Sequence, residues 1–396
     1  MGLSGKKLMI LGAGRHQMPL IQSAIDLGLE THVCSINGDY PGIAIAPYFH
    51  DIDISNQHQV LSIAQKIQPD GILTTATDVC LQSIGTVVDE LNLHGSGLEA
   101  SSSCLNKASM KHKLVTYGVP TAQYRVIQNV NDAIEFFSER SSPCVIKPAD
   151  SSGSRGVTKI SHASEIQYAF QYARNYSRNG VILIEEWLEG EEFGAQAIVR
   201  NNRCELLVLH SDITTAPPRR IPVGHACPHP EEDELLLLVE KIVADAIDSI
   251  GINDTISNID FILTKNGPKI IELTCRMGGT RLPEVCGTYW GVDFYALAIL
   301  VALGQEVKLS STPQGKPNAA HNLILNSGGR FVGMDAVGDE FVHEIYFRKG
   351  QQVSVNAAEQ AELGFVQLIR NDMTAISSDL VDEVNRLTSS VRIEVN

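Results

Sequence analysis

No two cysteines in this 396-residue chain stand in a C-x-x-C pair. The eight (34, 80, 104, 144, 204, 227, 275 and 286) are scattered, most of them in apolar, strand-like surroundings such as Val33-Cys34 and Cys144-Val145. That pattern fits reduced, buried thiols in a cytosolic protein, with a catalytic cysteine as the sharper alternative. Long apolar runs are also missing: the longest, residues 294–303, reaches about half of a bilayer span. The opening Met1-Gly-Leu-Ser-Gly-Lys-Lys7 leads straight into Leu8-Met-Ile-Leu11, without the apolar core and cleavage site of a signal peptide. Met1-Gly2 invites lipidation, but Lys6 and Lys7 and the strand entry behind them argue against it. Positive charge is in deficit, with 31 Lys+Arg against 46 Asp+Glu and a net charge of −15. The balance speaks against a general nucleic-acid or anionic-membrane binder, while leaving room for a local basic pocket that holds phosphates.

What is present fits a well-buried globular protein: 43% hydrophobic and 19% charged residues. The length allows roughly two or three domains at about 150 residues each. There is no internal repeat and no low-complexity linker. Residues 6–100 alternate strand and helix: strand 8–11, tight turn Gly12-Ala-Gly14, helix 18–27 closed by Gly28, strand 31–35, helix 57–67, strand 71–75 and helix 79–91. This βαβαβ order predicts a parallel, doubly wound sheet. Gly12-x-Gly14 suggests a dinucleotide site only weakly, because the third glycine of the fingerprint is replaced by Gln17.

From residue 105 the character changes. A helix is expected over 109–117, then short strands at 144–147, 157–160, 181–185 and 196–199. A helix at 164–177 separates them, with Ser161 and Ser164 as candidate caps. Two strands, a helix and two strands predict a small α+β lid. Apolar residues at 235, 238, 239, 242, 243, 246, 247 and 250 follow helical spacing and predict a core helix. Strands at 320–325 and 342–347 and a helix near 378–390 complete a less patterned C-terminal part.

The most informative stretch is Asn258-Ile-Asp-Phe261 followed by Lys269-Ile-Ile-Glu-Leu-Thr-Cys-Arg276. Both halves read as strands, and the gap contains Asn266-Gly267, a strong hairpin signal. A hairpin places Asp260 and Glu272 on one face. Two unpaired carboxylates in an apolar setting repel and are costly to desolvate. A divalent cation resolves that cost, and hard oxygen ligands suit magnesium carried by a nucleotide. The alternative is a pair of strand-edge acids that salt-bridge to Arg276.

Pro143-Cys-Val-Ile-Lys147-Pro148 puts a lysine at the end of a buried strand, ahead of Ala149-Asp-Ser-Ser-Gly153-Ser-Arg-Gly156. Small residues there let backbone N–H groups approach an anion, with Lys147 as a point charge; a plain glycine-rich hairpin tip is the other reading. Glu185-Glu186-Trp-Leu188-Glu-Gly190-Glu-Glu192 closes a strand with acids. They are either solvated turn residues or a connection whose backbone reads an adenine edge while a later acid holds ribose. Lys107 precedes a helix and alone would be an ordinary surface lysine. Asp78 lies beyond a parallel strand, at the ligand side of such a sheet, as a substrate-amine ligand or a helix cap. Residues 211–224 read as a loop. Arg219 and Arg220 in it, flanked by His210, Thr214 and His225, either bind a substrate carboxylate or are solvated.

Taken in this order, Asn-Lys107, the Val-Ile-Lys147-Pro strand with its loop, Glu185-Glu186-Trp-Leu-Glu-Gly, Asn-Ile-Asp260-Phe and Ile-Glu272-Leu-Thr-Cys-Arg276-Met-Gly278-Gly279 resemble the ATP-grasp superfamily over roughly residues 8–310. The branch is that of biotin carboxylase and carbamoyl-phosphate synthase, near the small L-amino acid ligases. The resemblance implies an N-terminal Rossmann-like domain at 1–104, an ATP-grasp domain at 105–310 with a lid at about 120–190, and a small β-rich domain at 311–396. It implies ATP and Mg2+ (or Mn2+) as cofactors. Lys107 and Lys147 would contact phosphates, Ser152, Gly153, Ser154 and Gly156 would close over them, and Glu185, Glu186 and Leu188 would hold adenine. Glu192 would bind ribose, and Asp260 and Glu272 the metal. Arg276 and Lys147 would be catalytic, and Arg276, Gly278, Gly279, Asp78 and Arg219 would face the substrates. Thr274 stands where relatives often carry Asn.

The chemistry implied is ligation of a small carboxylate, an amino acid for instance, to an amine. The carboxylate is a poor electrophile and is activated as an acyl phosphate, with ADP and phosphate released. Acyl phosphates hydrolyse, which suits a closing lid. Partners are then small molecules, with neither nucleic acid nor membrane, in a cytoplasmic protein for which relatives suggest a homodimer. Two rivals stay open: carboxylation through carboxyphosphate, and a nucleotide-binding protein without turnover.

Overall fold

The computed structural model describes residues 3–140, 142–151, 153–215, 222–325, 328–334, 338, 340–355, 361–375, 377–389 and 392–394. It packs as two compact units. The first comprises Met1–Leu207, Leu236–Met277 and Ala298–Val307; the second comprises Val208–Leu235, Gly278–Leu297 and Lys308–Asn396.

The first unit begins with the expected doubly wound sheet. Strands Tyr48–Asp51, Glu30–Ser35, Lys7–Leu11 and Gly71–Leu73 lie side by side in that order, all parallel. The apolar run Leu8 to Leu11 is buried throughout, as a strand covered on both faces requires. A short helix Pro41–Ile45 and the edge strand Tyr48–Asp51 were not anticipated; both are brief and carry little periodicity. The space that a dinucleotide would need beside Gly12 and Gly14 is filled by Gln17. Its buried amide donates to the Thr75 carbonyl at 2.7 Å, and its side chain would meet a Cβ at Gly14 within 2.9 Å.

The lid is a four-stranded antiparallel sheet in the order Tyr124–Ile127, Ile182–Glu186, Cys144–Pro148, Thr158–Ile160. Helices Val130–Ser138 and Ile166–Tyr176 cover one face, closing a core of Phe136, Ile146, Ile160, Phe170 and Ile184. The second helix is not capped by Ser161 or Ser164. The Glu165 carboxylate instead accepts the backbone N–H groups of Ser161 (2.6 Å) and His162 (2.9 Å), satisfying donors at the start of the helical segment.

A third layer in this unit is the antiparallel ladder Gly267–Thr274, Thr255–Thr264, Glu191–Arg200. Gly190, at φ 159°, enters it where a Cβ would lie 2.0 Å from the Leu263 carbonyl oxygen, a spacing only glycine tolerates. The helix Glu232–Ile250 buries Leu235, Val239, Val243, Ala246, Ile247 and Ile250 as its periodicity predicts. Leu238 departs from that stripe and is 56% exposed.

In the second unit, antiparallel strands run in the order Arg203–Thr214 (from Val208 onward), Pro222–Cys227, Asn318–Leu325, Ala361–Ile369, Phe341–Ile345. The helix Ser377–Thr388 contributes Leu380 and Val384 to their core with Ala319, Leu323, Leu363 and Val366. The stretch read as a loop over 211–224 is strand at both ends, where Ser211 to Thr214 pair with residues 222–226, while 216–221 lie outside the described residues. Arg219 and Arg220 lie outside the described residues, as does Ser152. All eight cysteines are free thiols and all but Cys204 are buried, as their apolar surroundings predict. Among the described residues no single helix is long and apolar enough to cross a membrane.

Candidate active site

The hairpin forms with Thr264 opposite Gly267 at its tip, but it is not regular. Pairing proceeds through Phe261 opposite Ile270, then shifts by one residue so that Asp260 faces Glu272 and Ile271 is left over. An unshifted register would set Ile271 against Asp260 and turn Glu272 to the other face of the ladder. The bulge is therefore what brings the two carboxylates together, and bulges serve this re-aiming role beside functional sites. Asn258 steadies Asp260: its amide donates to Asp260 Oδ1 at 2.9 Å and accepts from Gln196 Nε2 at 2.5 Å.

Lys107 opens the helix Lys107–Thr116, capped by the Asn106 side chain, which accepts from the N–H groups of Ala108 and Ser109. Its buried ammonium donates to Glu272 Oε1 at 2.9 Å and to the Ser151 carbonyl at 2.8 Å, tying the hairpin strand to the glycine-rich loop. Burial alone would lower the pKa of Lys107. Glu272 outweighs it, with Asp78 and Glu185 adding to the effect, so the pKa lies above the ordinary lysine value.

Lys147 sits two residues along from the partner of Glu185 in the lid ladder, on the same face. Its Nζ lies 2.9 Å from Glu185 Oε1. The second oxygen of Glu185 meets Lys111 at 3.2 Å, and Lys111 also donates to Thr121 Oγ1 at 2.8 Å. Lys111 is wholly buried and was missed in the sequence; the available signal was its i+4 spacing from Lys107 on one helix. Desolvation pulls its pKa down to about 8, against the opposing pull of Glu185. Burial pushes the Glu185 carboxyl upward, but Lys111 and Lys147 prevail and hold it below the usual range.

Arg276 is fixed from the first sheet. Its Nε and a terminal nitrogen each reach Asp78 Oδ1 at 2.8 Å, and Thr274 donates to the same oxygen at 3.2 Å. Asp78 thus holds Arg276. It does not cap the helix Leu81–Leu91, whose cap is Cys80. The Thr274 hydroxyl, which stands where relatives often carry Asn, turns to Asp78. Backbone contacts carry the juxtaposition further: Thr75 bridges Met277, and Ala76 N donates to its carbonyl at 3.3 Å.

Residues 153–156 turn through left-handed Gly153, Ser154 and Gly156, the last packed against Tyr176 and Pro148. Past the lid strand, Glu186 accepts from Lys269 (2.8 Å) and the Gln123 amide (3.1 Å), so its side chain is a strut between lid and hairpin. Leu188 and Glu192 are half-buried, Glu192 opposite Ile262 in the ladder. Gly278 and Gly279 belong to the second unit, where they lead into left-handed Thr280 and Arg281.

The structure thus gathers Lys107, Lys147, Glu185, Asp260, Glu272, Asp78 and Arg276 into one network of the first unit, adding Lys111 and Asn258. Two carboxylates at facing register, each with one oxygen already held by a nitrogen donor, are a hard-oxygen donor set that fits Mg2+.

The family model of the phosphoribosylglycinamide synthetase ATP-grasp (A) domain matches residues 105–281. The match identifies residues 105–281 as an ATP-grasp domain. A D-alanine–D-alanine ligase of Pseudomonas putida is 27% identical over 220 residues, 52% of this chain and 66% of that protein. The crystal structure of a phosphoribosylglycinamide synthetase from Anaerococcus prevotii superposes with a TM-score of 0.80 at 26% identity, covering 99% of this chain and 100% of that one. An L-amino acid ligase from Bacillus licheniformis shares the fold at a TM-score of 0.79 and 18% identity, with 99% of both chains covered. The ATP-grasp chain spans 63% and 66% of the lengths of two curated relatives that it matches.

Proposed function

We propose that this ATP-grasp chain is an ADP-forming carboxylate–amine ligase that activates a small carboxylate, an amino acid, for attack by an amine. The observation that carries the reading is the bulged register that sets Asp260 against Glu272, with Lys107 bound to Glu272. The likeness to a D-alanine–D-alanine ligase supports an amino acid as the carboxylate.

Asp260 and Glu272 would hold magnesium, which supplies positive charge to phosphate oxygens. Lys107 and Lys147 add charge from the helix start and from the lid, each already neutralised by a carboxylate and so soluble in a buried site without a ligand. Phosphate oxygens would compete with Glu272 and Glu185 for those ammonium groups. Arg276, held in one orientation by Asp78, would stabilise charge that develops on the transferred phosphoryl group. The loop 151–156 and the lid would exclude water, which would otherwise hydrolyse an acyl phosphate. The 185–188 connection would take adenine and Glu192 the ribose.

The test is ADP release by the full chain with Mg-ATP across single and paired amino acids, with and without bicarbonate, and with Glu272→Gln as control. Turnover that needs an acid–amine pair and vanishes in the variant is expected. Turnover driven by bicarbonate without an amine would assign a carboxylase. ATP binding without turnover under any condition would leave a nucleotide-binding protein.

A further inference from the structure

The second unit holds a constellation that the proposed ligase chemistry does not use. His210 and Asp212 alternate along the strand Arg203–Thr214 and so share a face. On the neighbouring strand His225 stands directly opposite Asp212 in the antiparallel register. The intervening residues Ile213, Val223 and Ala226 point the other way, into the hydrophobic core. The three polar side chains are buried all the same, His210 completely and Asp212 to 8% exposure.

Both imidazoles turn the same nitrogen toward one carboxylate oxygen: His210 Nδ1 lies 3.0 Å and His225 Nδ1 2.7 Å from Asp212 Oδ1. One ligand atom from each residue falls within 4.8 Å of the other two. Donor atoms bound to a common ion at about 2.0–2.2 Å stand roughly 3 Å apart, so both measured edges suit a shared ion without backbone movement. The frame is rigid. The strand of His225 is paired on its other side too, with His225 opposite Ala320, and a register shift follows Asp212 between Ile213 and Thr214.

We propose that His210, Asp212 and His225 form a site for a divalent transition-metal ion of the zinc type, built from different residues than the carboxylate pair Asp260 and Glu272. Two neutral imidazole nitrogens and one carboxylate oxygen select such an ion over magnesium, which takes oxygen ligands and keeps its water. Each ring would hold its proton on Nε2 and give the Nδ1 lone pair to the metal, replacing the two contacts with Asp212 by bonds through the ion. Three protein ligands leave a coordination position for water or for a substrate oxygen or nitrogen, the pattern of working rather than purely structural sites.

The experiment uses the full chain stripped with a chelator and dialysed. It is titrated with Zn2+ and, separately, Co2+ by calorimetry and absorption in excess Mg2+. One equivalent per chain is expected, with Co2+ bands of nitrogen and oxygen ligands and no thiolate charge-transfer band. Asp212→Asn and His225→Gln, each checked by circular dichroism, should weaken binding by more than about 100-fold, beyond what loss of an outer-shell partner costs. Glu272→Gln should bind the transition metal as the wild type does. Absence of saturable binding by the wild type would overturn the proposal, and so would a thiolate band pointing to Cys227, or binding unchanged in the folded variants.

Discussion

Glu185 joins two buried lysines of the first unit, Lys111 and Lys147. It is 3% exposed and lies between two buried lysines, a grouping stable only while all three are present. Glu185→Gln removes the anion and leaves two ammonium groups without their partner. A loss of about 3–5 kcal/mol is expected in denaturant unfolding, the cost of breaking a buried pair from one side. A loss below about 1 kcal/mol would mean that water reaches the lysines.

Lys111 gives this network a pH dependence whose sign can be worked out. Its pKa is about 8 in the folded chain and near the ordinary lysine value of about 10.4 when unfolded. Between those values the unfolded state binds more protons, so the group's contribution to stability rises with pH. The wild type should therefore gain on Lys111→Met as the pH goes from 7 to 10, measured as the difference in unfolding free energy. A difference that stays flat or shrinks would refute the buried, depressed lysine. The i+4 spacing from Lys107 hints at a shared face, but it does not announce such an environment, because the burial of Lys111 depends on Glu185 from the lid and Thr121 beside the hairpin. Lys147 was legible from the glycine-rich loop that follows it, whereas Lys107 alone read as an ordinary surface lysine and stood out only through the ordered motifs.

Among the elements, periodicity and turn chemistry carried most of the structure. The helix Gln57–Ile67 and the lid strands Cys144–Pro148, Thr158–Ile160 and Ile182–Glu186 follow their apolar patterns. The lid strand Tyr124–Ile127 was not foreseen, and the strand expected at 196–199 pairs in the ladder with Thr255–Thr264 instead. The hairpin of Asp260 and Glu272 was visible in Asn266-Gly267, yet a regular hairpin would have separated the acids, and no residue type signals the extra Ile271. In the stretch 211–224 the Pro and Thr near Arg219 suggested a loop, while at its two ends Ser211–Thr214 pair with residues 222–226 and extend strand into it. Asp212 escaped notice for the same reason: its meaning depends on the register with His225. Gly190 is the element-scale case most open to mutation. At φ 159°, with a Cβ 2.0 Å from the Leu263 carbonyl oxygen, Gly190→Ala must push the connection away from the ladder. A destabilisation of about 1–3 kcal/mol is expected from the strained backbone alone, together with weaker nucleotide binding by the adjoining 185–188 segment. Wild-type stability and nucleotide affinity in the variant would show that the connection is free to shift.

At the scale of the whole chain, the site is assembled from residues far apart in sequence: Lys107 meets Glu272 across 165 positions and Arg276 meets Asp78 across 198. Such contacts cannot be derived from local pattern, which is why the ordered motifs and not any one of them pointed to the ATP-grasp fold. Assembly across this distance means that ligand binding and folding are linked, since a nucleotide that bridges these segments stabilises only the folded chain. At a free Mg-ATP concentration of 100 times Kd the wild type should gain about 2.7 kcal/mol of unfolding free energy. The gain should need magnesium, because Asp260 and Glu272 face each other as acids and repel phosphate unless a cation lies between them. ATP with a chelator should therefore stabilise the wild type far less than Mg-ATP does. Glu272→Gln, which keeps the shape and removes one charge, should narrow the difference between the two conditions. Equal stabilisation by ATP with and without magnesium in the wild type would show that the nucleotide binds through the lysines alone, and the carboxylate pair would lose its assignment.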